Sequence, residues 1–169
     1  MKNNTLIPII LIVSLVSLSM LLTGCNLNKL IEPILEKSYE VVIYVEQIVS
    51  NESPEDLMSK MNNIDQALVV LSQSLSFINK NINNPQTQDI ILEVINKIDE
   101  VHNYIQETDI DDVAEIKQKI MDTMSDVKGA IESIADKLGI ILDVTVKKNS
   151  NTVDLLNQSI NELEKLIEE

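Results

Sequence analysis

Apolar residues recur at helical spacing along most of this chain, and the places where their phase breaks divide it into segments. Leu6 to Leu22 is nearly uninterrupted Leu, Ile, Val, Ser and Met, broken only by Pro8. From Leu27 to Val49 the apolar positions are Leu27, Leu30, Ile31, Ile34, Leu35, Val41, Val42, Val45, Ile48 and Val49, a broad helical stripe. Proline is tolerated in a first helical turn, so Pro33 predicts a helix starting near Glu32 after a short stalk. The run Val41-Val42-Ile43-Tyr44-Val45 has strand propensity, but no turn signal or partner strand adjoins it, and helix is the better reading.

Ser53-Pro54-Glu55-Asp56 opens a second helix with a capping side chain, a proline at the first helical position and acids at the positive end of the dipole. Its seam, Leu57, Met61, Ile64, Leu68, Leu71, Leu75, Ile78 and Ile82, alternates steps of four and three in strict heptad register. Asn83-Asn84-Pro85 stops it, with Asn84 placed to cap a third helix striped by Ile90, Ile91, Val94, Ile95, Ile98, Val101 and Ile105. A fourth helix, capped by Thr108-Asp109, has the seam Ile110, Val113, Lys117, Ile120, Met124, Val127, Ile131, Ile134, Leu138 and Ile141. At ~1.5 Å per residue it would be on the order of 45 Å long. Acids crowd its start, and Lys147-Lys148 follow its end, as the dipole favours. Gly139 and the β-branched residues after it leave open whether 139–146 continues that helix. Thr152 then caps a short last helix with Val153, Leu156, Ile160, Leu163 and Ile167 on one face.

Short loops between such helices predict an all-α fold: an up-and-down antiparallel bundle of four to five helices with coiled-coil-like heptad seams, spanning 32–169. The few breakers agree. Beyond residue 25 only Gly129, Gly139, Pro33, Pro54 and Pro85 occur. No sequence repeat beyond the heptads supports a solenoid.

Charge narrows the function. From Cys25 onward the chain carries 12 lysines against 27 acids, a formal charge of −15, which disfavours nucleic acid and anionic lipid headgroups. All basic residues are lysines, so bidentate guanidinium recognition of phosphate or carboxylate is unavailable. The aromatic set is Tyr39, Tyr44, Phe77 and Tyr104, a poor basis for stacking sugars or bases.

The amino-terminal region has the order of a secretory signal: Lys2, the apolar run, then small residues. It ends in Leu22-Thr23-Gly24-Cys25, which holds the only cysteine and resembles the lipobox of bacterial lipoproteins. The resemblance covers residues 1–25. It implies that 1–24 is a signal peptide removed by cleavage between Gly24 and Cys25 and that Cys25 receives a diacylglycerol and further acylation such as palmitate; together with the helix start near Glu32, this makes 25–31 a lipidated stalk. Two acyl chains anchor stably where one is marginal. A disulfide within the chain is excluded, because Cys25 has no intramolecular partner. An uncleaved membrane helix with an incidental cysteine is the competing reading.

Candidate chemistry is sparse. His102 is the only histidine, with Asp99 and Gln106 on the same helical face able to orient it, but no serine elbow or second nucleophile accompanies it. Too few His and Cys residues exist for a zinc site. Asp109-Ile110-Asp111-Asp112 suggests calcium, yet Ala114 and Ile120 stand where a calcium-binding loop needs glycine and glutamate. Lys117 reads as an edge lysine whose head reaches water, and Met58, Met61, Met121 and Met124 as core filler or, alternatively, an adaptable groove. No catalytic, cofactor-binding or metal-binding residue is assigned. The expected function is a non-enzymatic envelope lipoprotein, facing outside the cytoplasm, held in the bilayer through acylated Cys25 and binding a protein partner. The alternative is a structural coiled-coil homo-oligomer or envelope spacer built on the heptad seams.

Overall fold

The computed structural model describes residues 6–107, 113–144 and 151–168, with side chains from Leu27 onward except Glu107. The helices are α1 (Leu6–Asn51), α2 (Pro54–Asn81), α3 (Pro85–Glu107), α4 (Val113–Leu138) and α5 (Thr152–Glu168), and no strand occurs among the described residues. The chain is an all-α bundle, as the spacing of apolar residues predicts.

Side-chain contacts fix the helix directions. Asp65 meets His102, Ser72 meets Asp99, and Asn79 meets Gln88, so α2 and α3 are antiparallel. Tyr39 meets Glu132 and Ser50 meets Met121, so α1 and α4 are antiparallel too. The paired hydroxyls of Ser38 and Ser74 join α1 to α2, and Lys97 with Asp126 joins α3 to α4. The first four helices therefore alternate in direction around one core, with α1 and α3 at opposite corners.

The fifth helix packs against α1 and α2. Ser159 bonds Glu40 and Lys37 pairs with Glu162, so α5 is antiparallel to α1; Asn63 bonds Asn157, and α5 runs parallel to α2. This departs from the expectation that parallel neighbours are absent. The cause is that α4 ends beside Asn28, whereas α5 begins ahead of Asn157, which bonds Asn63 toward the opposite end of the bundle. The Asp143 amide donates to the Glu36 carboxylate at 3.2 Å on the connection between them.

The core is aliphatic. Ile31, Ile34, Leu35, Val45, Leu57, Ile64, Leu68, Leu71, Leu75, Ile98, Ile120, Ile131 and Ile134 have no exposed surface. Each fully buried Leu or Ile contributes about 2–5 kcal/mol against truncation to alanine. The α2 seam is buried as predicted from Leu57 through Ile82. Ser53 caps α2, accepting from the Asp56 amide at 3.2 Å, and Asn84 caps α3, accepting from the Thr87 amide at 3.1 Å.

Four expectations need correction. First, α1 does not start near Glu32: it runs through 26–31, Ile31 is fully buried and Leu27 packs on the core, so 27–31 belongs to the bundle instead of a free stalk. Pro33 lies inside α1, where its missing N–H leaves only the Lys29 carbonyl undonated, a loss the burial of Ile31, Ile34 and Leu35 outweighs. Second, α4 ends at Leu138. Gly139 adopts φ +67°, its amide donates to the Asp136 carbonyl at 3.1 Å, and the Ile140 amide donates to the Ala135 carbonyl at 2.8 Å, a Schellman cap with Ile140 folded onto the core. Ile141, assigned to the seam, is 85% exposed. Third, Ile116, which the seam passed over, fills the core position assigned to Lys117, whereas Lys117 itself is half-buried, in keeping with its reading as an edge lysine. Fourth, the α5 cap is Asn151, whose side chain bonds Asp154, with Thr152 as the first helical residue. The Thr108-Asp109 cap, Ile110 and the Lys147-Lys148 pair lie outside the described residues.

Candidate functional site

The sequence places its one chemically committed residue, Cys25, on α1, whose backbone is helical from Leu6 to Asn51. The side chains of Leu22, Thr23, Gly24 and Cys25 lie outside those described. Cys25 therefore stands less than two turns before Ile31 on the same helix, at the end of the bundle where α4 finishes: the Asn28 side chain donates to the Leu138 carbonyl at 3.0 Å. Among residues with described side chains, no helix is long and apolar enough to cross a membrane.

His102 projects from α3 toward α2. Its Nδ1 lies 2.6 Å from Asp65 Oδ1, and Gln106 Nε2 donates to Asp65 Oδ2 at 2.6 Å. Asp65 is 8% exposed, so its carboxylate is nearly withdrawn from water and both oxygens are engaged. Sequence reasoning paired His102 with Asp99 and Gln106. Gln106 is indeed a neighbour, but only through Asp65, and Asp99 instead accepts from the Ser72 hydroxyl at 3.0 Å. Asp65 was the missed residue. Its signal was present: it is a lone carboxylate inside the Met61–Leu68 stretch of the α2 seam, where a charge needs a partner from another helix.

His102, Asp99 and Ser72 line one hollow of about 220 Å³ with Leu68, Val69 and Ile98. An Asp–His pair beside a serine invites comparison with nucleophile activation, but the Ser72 proton is directed at Asp99, not at His102. The backbone amides there lie inside α2 and α3 and are committed to helical hydrogen bonds, leaving none to stabilise an oxyanion. The cluster ties α2 to α3.

The other polar clusters also bridge helices. Lys37 joins α1 to α5, 2.7 Å from both Glu40 and Glu162. Burial acts to lower the Lys37 pKa, but the hydrogen bonds to Glu162 and Glu40 outweigh it and the ammonium is raised. The Lys37 hydrogen bond, helped by Gln158, holds Glu162 below its ordinary value. Tyr39, on the α1–α4 face, donates to Glu132 at 2.8 Å; desolvation first, then that hydrogen bond, push its pKa to about 12. Lys119 lies 4.9 Å from the Tyr104 ring centre between α3 and α4, and Lys128 lies 5.6 Å from that of Tyr39. An open groove of about 540 Å³ lies between α2 and α5, lined by Ser72, Phe77, Lys80, Glu164 and Ile167 among others.

Met61 and Met124 are buried and Met58 and Met121 pack against the core, so these methionines act as filler and form no open groove. Asp109, Asp111 and Asp112 lie outside the described residues. Among the described residues no group of three His, Cys, Asp or Glu side chains is placed to hold a metal ion. Comparison with protein-family models, curated proteins and solved structures finds no match to this chain.

Proposed function

We propose that this protein is a lipoprotein of the bacterial cell envelope, anchored outside the cytoplasm through acylated Cys25 and acting without catalysis by presenting a rigid helical body to a protein partner. The observation that carries the reading is Leu22-Thr23-Gly24-Cys25 closing an apolar run that follows Lys2. The position of Cys25 supports it, since an anchor there would hold one end of the bundle at the bilayer and leave the opposite end, around Asn51 to Pro54, about 39 Å away along α1 at ~1.5 Å per residue. The engagement of His102, Asp65, Asp99 and Ser72 in contacts between helices supports a non-catalytic role.

Replacing Cys25 with serine tests the anchor: fatty-acid labelling and membrane partition should both disappear. Labelling that survives in Cys25→Ser rules the anchor out. Replacing His102 with alanine tests the second half, and a phenotype lost while helicity persists would mean that His102 does chemistry. The structural-oligomer alternative has less support, because Leu57 through Ile82 are already covered within a single chain. Sedimentation of the unlipidated domain as a monomer agrees with the primary reading, and an elongated dimer or trimer favours the alternative.

A further inference from the structure

Charge is missing from one long stripe of an otherwise charged surface. Between Lys60 and Lys80 the only charged residue of α2 is Asp65, which is buried and bonded to His102 and Gln106. Every position in that stretch that reaches solvent is uncharged, in a chain of which 24% is charged. Asn62, Gln66, Val69, Gln73 and Ser76 follow one another in steps of four and three, so they form a single stripe on the outer side of α2, ~21 Å long at ~1.5 Å per residue. The water-facing side of a helix ordinarily carries charged residues, and their depletion marks the centre of protein–protein contacts.

The stripe is the floor of a trough. Both α3 and α5 pack on α2, and among the described residues they do not touch each other. The hollow of about 220 Å³ toward α3 and the groove of about 540 Å³ toward α5 adjoin at Ser72 and Gln73, which line both. Two helices that flank a third without meeting leave a seat on it for a further helix. Asn62, Gln66, Gln73 and Ser76 spend no side-chain hydrogen bond inside the described protein, so their amides and hydroxyl are free to bond whatever occupies that seat.

The walls select the occupant. Asp99 on the α3 side and Glu164 and Glu168 on α5 line the two hollows, and none of them has a cation within ion-pair distance among the described residues; Lys80, at the end of the stripe, is the only lysine there. A second copy of the chain fits poorly, because a two-fold axis across the trough sets the acids of α5 against those of α5 or α3 in the partner, between bodies of formal charge −15. An acyl chain fits poorly too, since Ser72, Gln73 and Ser76 would lose water without gaining a hydrogen bond. A helix of another protein meets neither objection if its face toward α2 is uncharged, so that no ion is buried, and its edges carry lysine or arginine opposite the acids.

We propose that the trough over α2, between α3 and α5, is the docking site for an amphipathic α-helix of another protein. That helix is about four turns long, matching the ~21 Å stripe, uncharged where it meets Asn62 to Ser76, and basic along the edges that face Asp99, Glu164 and Glu168. The inference rests on the binding role proposed above and names its surface and the chemistry of the partner.

Photocrosslinking tests it. The full chain is produced in its native envelope with p-benzoylphenylalanine in place of Gln73 on the trough floor or of Ser125, exposed on α4, and the peptides joined on irradiation are sequenced by mass spectrometry. Circular dichroism of each purified protein establishes the fold. The expected product joins Gln73 to a helical segment of another protein that carries lysine or arginine, and is absent from Ser125. It should fall by about tenfold when Glu164→Lys and Glu168→Lys are combined, and hold steady in Asp136→Lys with Asp143→Lys, which change the total charge equally on and beyond α4. A Gln73 product joined to a second copy or to phospholipid overturns the proposal, as does a product indifferent to the charge reversal at Glu164 and Glu168. Products from Ser125 but not Gln73 overturn the trough and leave the binding role standing. No protein product from either position overturns both.

Discussion

The two glycines of the helical body are predicted to respond in opposite directions to one substitution. Gly129 lies inside α4, and a Cβ built there meets no atom within 4 Å. Gly129→Ala therefore removes only the conformational freedom of glycine and stabilises by about 0.5–1 kcal/mol. A Cβ at Gly139 is equally free of neighbours, so sterics with the rest of the protein do not separate the two sites. The backbone does. Gly139 has φ +67°, where an L residue costs about 1–2 kcal/mol, offset in part by the ~0.4–1 kcal/mol gained from a stiffer unfolded chain. The net is a loss of about 1 kcal/mol, and the two variants should differ by about 2 kcal/mol. At ~2–4 °C per kcal/mol for a domain of this size, their midpoints should be ~4–8 °C apart. Thermal unfolding followed by far-UV circular dichroism on the unlipidated Cys25→Ser background reads this directly. If Gly139→Ala stabilises as much as Gly129→Ala, residue 139 is a helix interior, α4 continues past Leu138 and the Schellman cap is wrong.

Further outcomes follow from particular contacts. Ser74 donates to the Leu71 carbonyl at 2.9 Å and so accepts from Ser38; Ser74→Ala should cost about 1–3 kcal/mol by leaving a buried hydroxyl unpaired, and adding Ser38→Ala should restore part of it in a urea titration. Asp65→Ala and His102→Ala should couple by about 1 kcal/mol or more in a double-mutant cycle, and additivity would show that their contact contributes nothing. Because Tyr39 is raised to about 12 from the ordinary 10.0, its stabilising effect is complete below pH ~10 and is lost as pH rises toward 12. A phenol absorbance titration, with Tyr39 assigned by difference from Tyr39→Phe, should show Tyr39 ionising late, and earlier in Glu132→Gln. Glu162 is lowered, so its contribution is present above the ordinary glutamate value of 4.5 and is lost as pH falls below it; in Glu162→Gln this acid-side loss should shrink.

Legibility in the sequence followed how local each determinant is. The α2 seam alternates fours and threes without a gap, and every residue it names is buried. The Ser53 and Asn84 caps depend on a side chain and an amide three residues away, and both were readable. The same heptad template held in α4 from Ile120 to Ile134 and failed only at its ends, where Ile116 takes the core position instead of Lys117 and the left-handed backbone at Gly139 stops the helix before Ile141. Pro33 suggested a helix start from a rule about isolated helices, whereas burial on both sides of it keeps α1 continuous. The direction of α5 depends on how far the preceding connection travels, and the partner of His102 comes from a different helix; neither is encoded in spacing along one segment. A buried-phase aspartate without a same-helix cation was the one readable sign of Asp65.

The claim on which location and function rest is chemical and concerns one residue. Mass spectrometry of the amino-terminal peptide of the protein isolated from its native membrane tests it most directly. The account predicts a chain beginning at Cys25 and carrying diacylglycerol on its sulfur. A chain beginning at Met1 with a free thiol at Cys25 would contradict it.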